Sequence, residues 1–341
     1  MSALEYGWQH DAWQLARAAI ARGAHALLIA GARGVGKRAF ALKLAASVLC
    51  ERRTEGGLPC DACESCRWFL ASTHPDFLLV EPIKDEQETE AAPSAAAASA
   101  REHPISVDQV RRLGESLALS SHRDAGKVVI IHPAELMNLA AANALLKNLE
   151  EPPSRTLFLL VAHRPALLPH TVRSRCQVVP IKVTDRCAAE RWLSAQGVED
   201  TALHLALCGG APLEAQEAAN DAVQAGRADF LRSLCDPKSD PVALAERFRD
   251  LPPAAILAWL QKWTYDLLQA RLAGRVRYHL DLIELARERA AEIDPRAVSR
   301  LHRRLLAQQR HIRHPLNPRL LTEQLLIDCC ELFAGAKDGT A

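Results

Sequence analysis

The sequence predicts an α/β domain on a parallel five-stranded sheet, followed by a small helical lid and an all-α C-terminal domain. Three observations predict it. Short apolar runs at 26–30, 77–80, 127–131, 156–161 and 177–181 lack the alternation of half-exposed strands, as strands buried on both faces do. Helical patterns fill most of the intervals between them, so the connections are crossovers and the sheet is parallel. From Asp185 onward no such run recurs. The boundaries read as 1–183 for the α/β domain, 184–225 for the lid and 226–341 for the helical remainder, within the size range of two or three domains.

The elements follow in order. Residues 8–22 read as a helix with Trp8, Ala12, Leu15, Ala18 and Ala19 on one face and Gly23 as its stop. The strand Ala26–Ala30 leads into a glycine-rich loop and then a helix, 38–50, with Phe40, Leu42, Leu44, Ala45 and Val48 apolar. Residues 84–103 turn polar and Ala-rich, the composition of a mobile surface insertion. Ser106 and Gln109 have capping-box spacing and start a helix that turns Val110, Leu113 and Leu117 inward. Another helix runs from Leu136 to Glu151 and stops at Pro152-Pro153. Short helices surround Gly209-Gly210. A longer one at 254–272 carries Ile256, Leu257, Leu260, Trp263 and Leu267 on one stripe, and Trp259 and Trp263 read as core.

The net charge of +1 gives no global pull toward nucleic acid or membrane. No apolar run is long enough for a membrane span and the N-terminus lacks a signal core, which points to a cytoplasmic protein. A basic stretch, Arg300, His302, Arg303, Arg304, Arg310, His311, Arg313 and His314, is interleaved with Leu301, Leu305, Leu306 and Ile312. That spacing suits a solvated helix face or a contact between subunits better than a DNA surface, and no aromatic platform sits among the charges.

Gly31-Ala32-Arg33-Gly34-Val35-Gly36-Lys37 follows a strand and opens a helix, the setting of a phosphate cradle. Gly31, Gly34 and Gly36 permit the loop, and Lys37 would reach the β- and γ-phosphates of ATP or ADP. The next residue should be Ser or Thr, to hold Mg²⁺, but it is Arg38. The third strand should end in an acid and ends in His132-Pro133. Glu135 lies further on, either as a displaced ligand or, the better reading, as a solvent-facing residue opening the next helix. No Mg²⁺ site is expected, hydrolysis is not expected, and nucleotide binding is left open.

Ten cysteines divide into a cluster and a scatter. Cys60-x-x-Cys63-x-x-Cys66 with Cys50 offers four thiolates, the closed sulfur set of structural Zn²⁺, with an iron–sulfur cluster as the chemical rival. Cys187, Cys208, Cys235, Cys329 and Cys330 have no partner spacing and read as small hydrophobes.

Four segments together resemble one family. They are Gly31–Lys37, the cysteine cluster, Asn143-Ala144-Leu145-Leu146-Lys147-Asn148-Leu149-Glu150-Glu151-Pro152-Pro153, and Ser174-Arg175-Cys176. With His314-Pro315-Leu316-Asn317-Pro318-Arg319-Leu320-Leu321, they resemble bacterial clamp-loader subunits of the AAA+ class over nearly the whole chain outside 84–103. The resemblance implies a AAA+ P-loop domain with a zinc module at 50–66, a lid and an oligomerising collar. Motor members (gamma and tau) carry Thr or Ser at position 38 and Asp-Glu at 132–133, so this chain is similar to the non-motor branch. Its sensor positions, Ala162-His163 and Leu213, also depart from the motor pattern.

What the resemblance implies further is a stator role. Partners would be the motor subunits and the delta subunit, with the sliding clamp and primer-template DNA met through the complex. Polymerase activity would belong to the whole holoenzyme. Arg175 would act in trans at a neighbouring motor's ATP site, against the plainer reading of a surface arginine. An active motor ATPase and a zinc-containing scaffold outside any clamp loader are the two rival readings.

Overall fold

The computed structural model describes residues 6–83, 104–118, 126–236, 238–309 and 318–334. The predicted insertion at 84–103 and the basic residues 310–317 lie outside the described residues. The backbone divides into two compact units. One takes in the described residues through Trp192 together with Ala211–Glu214, and the other takes in the rest.

The first unit is built on β1 (Ala26–Ala30), β2 (Phe77–Val80), β3 (Lys127–Ile131), β4 (Thr156–Ala162) and β5 (Gln177–Pro180). Their order is β2-β3-β4-β1-β5, and every pairing is parallel. The central strands β1, β3 and β4 are buried along their whole length, which is why their sequences run apolar without alternation. β2 and β5 are edges and keep more exposed positions. Ala30 pairs with Ala162 and with Pro180, so β1, β4 and β5 end level. The glycine loop leaves the sheet at that level, where ligands enter parallel α/β sheets.

Helices α1 (His10–Ala21), α2 (Lys37–Leu49), α3 (Glu64–Leu70), α4 (Val107–Ala118), α5 (Leu139–Glu150), α6 (His170–Arg173), α7 (Arg186–Ala195), α8 (Thr201–Leu207) and α9 (Pro212–Ala219) follow. Val110, Leu113, Leu145 and Leu149 pack with Val129, Ile131, Phe158 and Leu160 in one core. The capping box forms reciprocally: Ser106 N–H donates to Gln109 Oε1 at 2.9 Å and Gln109 N–H to Ser106 Oγ at 3.3 Å.

Two local readings are corrected. In α1 the buried face is Ala12, Trp13, Ala16 and Ala19, while Leu15 and Ala18 face solvent, because the stripe centres on Trp13 and Ala16, about a third of a turn from Leu15. The helix expected from Leu136 starts at Leu139. A 3₁₀ turn occupies Ala134–Leu136, and Asn138 begins a new helix by accepting from Ala141 N–H at 2.8 Å.

The second unit continues with α10 (Ala222–Ala225), α11 (Arg227–Leu234), α12 (Pro241–Arg247), α13 (Pro253–Ala273), α14 (Ile283–Glu292), α15 (Pro295–Gln308) and α16 (Pro318–Ala334). Its core gathers Phe230, Ile256, Leu257, Trp259, Leu260, Trp263, Leu301, Leu305, Leu325 and Leu326. Asp266, fully buried on α13, accepts backbone N–H groups of Arg277, Tyr278 and His279 and pairs with His279 Nδ1 at 2.8 Å. Of the basic stretch, the described residues sit on α15, where Leu301 and Leu305 are buried, His302 Nδ1 meets Thr264 Oγ1 at 2.9 Å, and Arg303 and Arg304 are exposed. Among the described residues no helix is long and apolar enough to cross a membrane.

Candidate nucleotide-type site and metal centre

The loop from β1 to α2 has the backbone of a phosphate cradle. Gly34 and Gly36 take φ of 71° and 82°, a region costly for side chains. At Gly31 a Cβ would lie 2.4 Å from Ile181 O, so close backbone approach at the end of β5 demands glycine. The surroundings of the loop are unlike an open cradle. Trp8 Nε1 donates to Val35 O at 3.1 Å and Gln9 Nε2 to Gly36 O at 2.9 Å. The Tyr6 ring lies where a Cβ of Gly36 would fall, and Tyr6 stacks on Trp8 with Trp192 edge-on to both. Leu213 N–H donates to Gly34 O at 2.9 Å.

Lys37 is 2% exposed and folds back to donate to Ala32 O at 2.5 Å. Burial lowers its pKa to about 8, against the opposing pull of Glu135 and Glu214. Arg38 turns to Glu81, just past β2, with Nε 2.7 Å from Oε1 and Nη2 3.3 Å from Oε2. His132 Nδ1 lies 3.6 Å from the same Glu81 oxygen. Burial holds the pKa of His132 low, and burial together with the nearby Lys37 charge takes His163 to about 3, so both rings are neutral. Where a motor site gathers a hydroxyl, a metal and an acid, this one gathers a guanidinium, a carboxylate and an imidazole.

Glu135 is not the solvent-facing residue expected from sequence. Its Oε1 accepts N–H groups of His163 and Arg164 at 2.9 and 3.0 Å, and its Oε2 is buried. The 3₁₀ turn after Pro133 swings it under the end of β4.

Arg175 follows α6 and precedes β5. Its Nη1 donates to Thr171 O at 2.8 Å and its Nη2 lies 2.5 Å from Glu150 Oε1 at the end of α5. The side chain remains 35% exposed.

The four clustered cysteines come together. Their Sγ atoms all lie within 4.8 Å of one another, with Cys50–Cys63 at 3.9 Å and Cys60–Cys66 at 4.0 Å. A tetrahedral Zn–S₄ centre with bonds of about 2.3 Å needs sulfurs about 3.8 Å apart, so the set fits. Cys50 closes α2 and Cys63 caps α3. Backbone N–H groups of Cys60, Cys63 and Cys66 point at Cys50, Cys60 and Cys63 sulfurs at 3.3 to 3.4 Å. N–H groups of Ala62 and Cys63 hold Cys60 low, at about 6, whereas burial pushes Cys50 and Cys66 up. A cation is what would let all four ionise together. The scattered cysteines stand apart: Cys176, Cys235 and Cys329 are buried, while Cys187 is exposed and is no core residue.

Known proteins place the chain. The family model described as "DNA polymerase III, delta subunit" matches residues 8–185, and a second model, for the C-terminal part of the delta protein, matches 224–330. DNA polymerase III subunit delta′ of Pseudomonas aeruginosa is 36% identical over 278 residues, 78% of each chain. The Yersinia pestis protein of that name is 33% identical over 89% of each chain. That of Escherichia coli is 31% identical over 90% of this chain and 89% of its own. The chain belongs to the DNA polymerase III delta-prime family.

Within this delta-prime fold the motifs read from sequence fall into separate places. The glycine loop and Lys37 lie at the head of the sheet, Arg175 lies against the end of α5, and the four cysteines form their own centre. Sequence reasoning missed Glu81, Glu214, Tyr6 and Gln9. Glu81 carried a usable signal, since it directly follows a strand flanking the third strand's end. Glu214 carried a weaker one, its place beside Leu213 at a sensor position, while its contacts with Gly34 and Arg33 could not be read because those residues are far from it in the chain.

Proposed function

We propose that the chain is a clamp-loader stator: a protein that holds its place in a replicative loader without hydrolysing ATP, and lends Arg175 to a neighbour. The single observation that carries the first half is the Arg38–Glu81 pair. Arg38 stands where a magnesium-binding hydroxyl is needed and is already neutralised, while His132-Pro133 supplies no acid. Phosphoryl transfer here would lack its main charge stabilisation.

The second half is supported by the partial exposure of Arg175. Glu150 and the Thr171 carbonyl hold the guanidinium at a fixed angle, and the side chain stays partly exposed. A planar fork in that setting suits γ-phosphate oxygens of a site completed by another subunit. The relatives' names, DNA polymerase III subunits delta′ and tau, support an assembly with motor subunits; in this reading it also includes a delta subunit and acts on the sliding clamp and primer-template DNA in the cytoplasm. In this reading 1–183 is the AAA+ domain, 184–225 the lid and 226–341 the collar. Cys50, Cys60, Cys63 and Cys66 would hold one structural Zn²⁺, a closed four-sulfur set with no place for substrate.

Reconstitution with the motor and delta subunits tests it. Arg175→Ala should fold and assemble normally and lower the loader's clamp-stimulated ATPase by at least about tenfold, since such fingers contribute about 10³–10⁵ at a single site. Unchanged ATPase in a complete assembly would sink the trans role. ATP turnover by the isolated chain would sink the stator reading and favour a motor.

A further inference from the structure

The turn that opens α9 lies against the phosphate loop. Glu214, at the start of α9, sits against the loop. A Cβ on Gly34 would come within 2.7 Å of Glu214 Cγ and 2.9 Å of its backbone nitrogen. Glu214 Oε1 lies 3.7 Å from Arg33 Nε, and its charge acts on Lys37. The hydrogen bond from Leu213 N–H to Gly34 O fixes this turn to the loop.

Charges around the loop are matched. The cations are Arg33, Lys37 and Arg38, and the carboxylates are Glu214, Glu135 and Glu81. Arg33 faces Glu214, Arg38 is bound to Glu81, and Lys37 is fastened to Ala32 O and feels the charges of Glu135 and Glu214. A polyphosphate entering here would bring several negative charges to a loop whose three cations are already engaged.

We infer that Glu214 is the specificity-determining residue of the loop: its carboxylate takes the place of a phosphate beside Arg33 and Lys37 and so excludes nucleotide. Arg38 explains why hydrolysis fails, and Glu214 explains why binding fails before hydrolysis is reached. The inference rests on the non-hydrolysing reading above and deepens it. Removing the acid uncovers a latent anion site built from the loop N–H groups, Arg33 and Lys37.

The test is calorimetric titration of the full chain with ATP, without added divalent cation, and separately with inorganic pyrophosphate. Wild type should give no saturable binding in the micromolar range. Glu214→Ala should bind both ligands at least about tenfold more tightly, with Glu214→Gln gaining less because the amide still fills the space. Adding Lys37→Met to Glu214→Ala should abolish the gain. Micromolar ATP binding by wild type overturns the inference. So does the absence of any gain in whichever of the two Glu214 variants keeps the wild-type circular dichroism and melting temperature. Glu214→Gln is near-isosteric and decides the matter if Glu214→Ala does not fold. ATP binding without turnover would overturn this inference alone, whereas turnover by the isolated chain would also sink the stator reading, so the two failures are told apart.

Discussion

Lys37 ends on a carbonyl oxygen of its own loop. A phosphate-binding lysine must point out of its loop, whereas this one points back to Ala32 and is shielded from solvent. Arg38 is equally committed, through Glu81. Both partners of that pair are a third to a half exposed, so it contributes about 0–1 kcal/mol and exists for geometry more than stability. Arg38→Thr should therefore melt within about 1 kcal/mol of wild type and still show no ATPase, because a restored hydroxyl finds His132-Pro133 in place of an acid. Measurable turnover by that variant would mean the metal site is less degraded than the residues imply. The degraded motif was legible in sequence, since Arg38 and His132-Pro133 are readable one residue at a time. The filling of the loop was not. It depends on Tyr6, Gln9 and Glu214 arriving from distant parts of the chain, and no local pattern encodes an arrival.

The cysteine module is held at its ends by ordinary hydrogen bonds and in its middle by sulfur. Ser65 Oγ donates to Leu49 O at 2.7 Å and meets His74 Nε2 at 2.8 Å, tying α3 to the end of α2. Ser47 Oγ donates to Gly57 O at 2.6 Å. The purified chain should contain about one zinc, and Cys63→Ser should lose it, because that residue is both ligand and cap of α3. Loss of metal should lower the melting temperature by at least about 4 °C and speed proteolysis within 50–66, leaving the strands intact. Iron-type visible absorption in the purified chain would refute zinc. Among the elements the five strands were the most legible, since β1, β3 and β4 are buried on both faces and must be apolar throughout. Helix phase was less so. Leu15 sits where an apolar face was read, yet it is exposed, because the large Trp13 side chain, with Ala16, marks the buried stripe instead.

At the scale of the whole molecule, the helical unit carries a built-in response to pH. In the helical unit, burial lowers the pKa of His279 below 6.5 despite the pull of Asp266, with Arg227 opposing and Asp281 assisting protonation. Burial alone would raise Asp266, but the His279 ring and the backbone N–H groups of His279 and Arg277 outweigh it and lower it. A histidine kept neutral by the fold takes its proton first in the unfolded chain, so stability falls as pH drops below about 6.5. The lowered carboxylate adds a further loss only nearer pH 4. Urea denaturation followed through Trp259 and Trp263 should show a lower midpoint at about pH 5 than at about pH 7, and His279→Gln should flatten that slope while lowering stability at both. A slope unchanged in His279→Gln would place the titrating group elsewhere. The filled phosphate loop has a consequence of another kind. A protein that binds a ligand only when folded draws part of its stability from ligand concentration. A loop already saturated by its own side chains draws none. The fraction of this chain that is folded should then stay constant as the energy charge of the cell rises and falls, and the frame on which motor subunits turn would not soften when their fuel runs low.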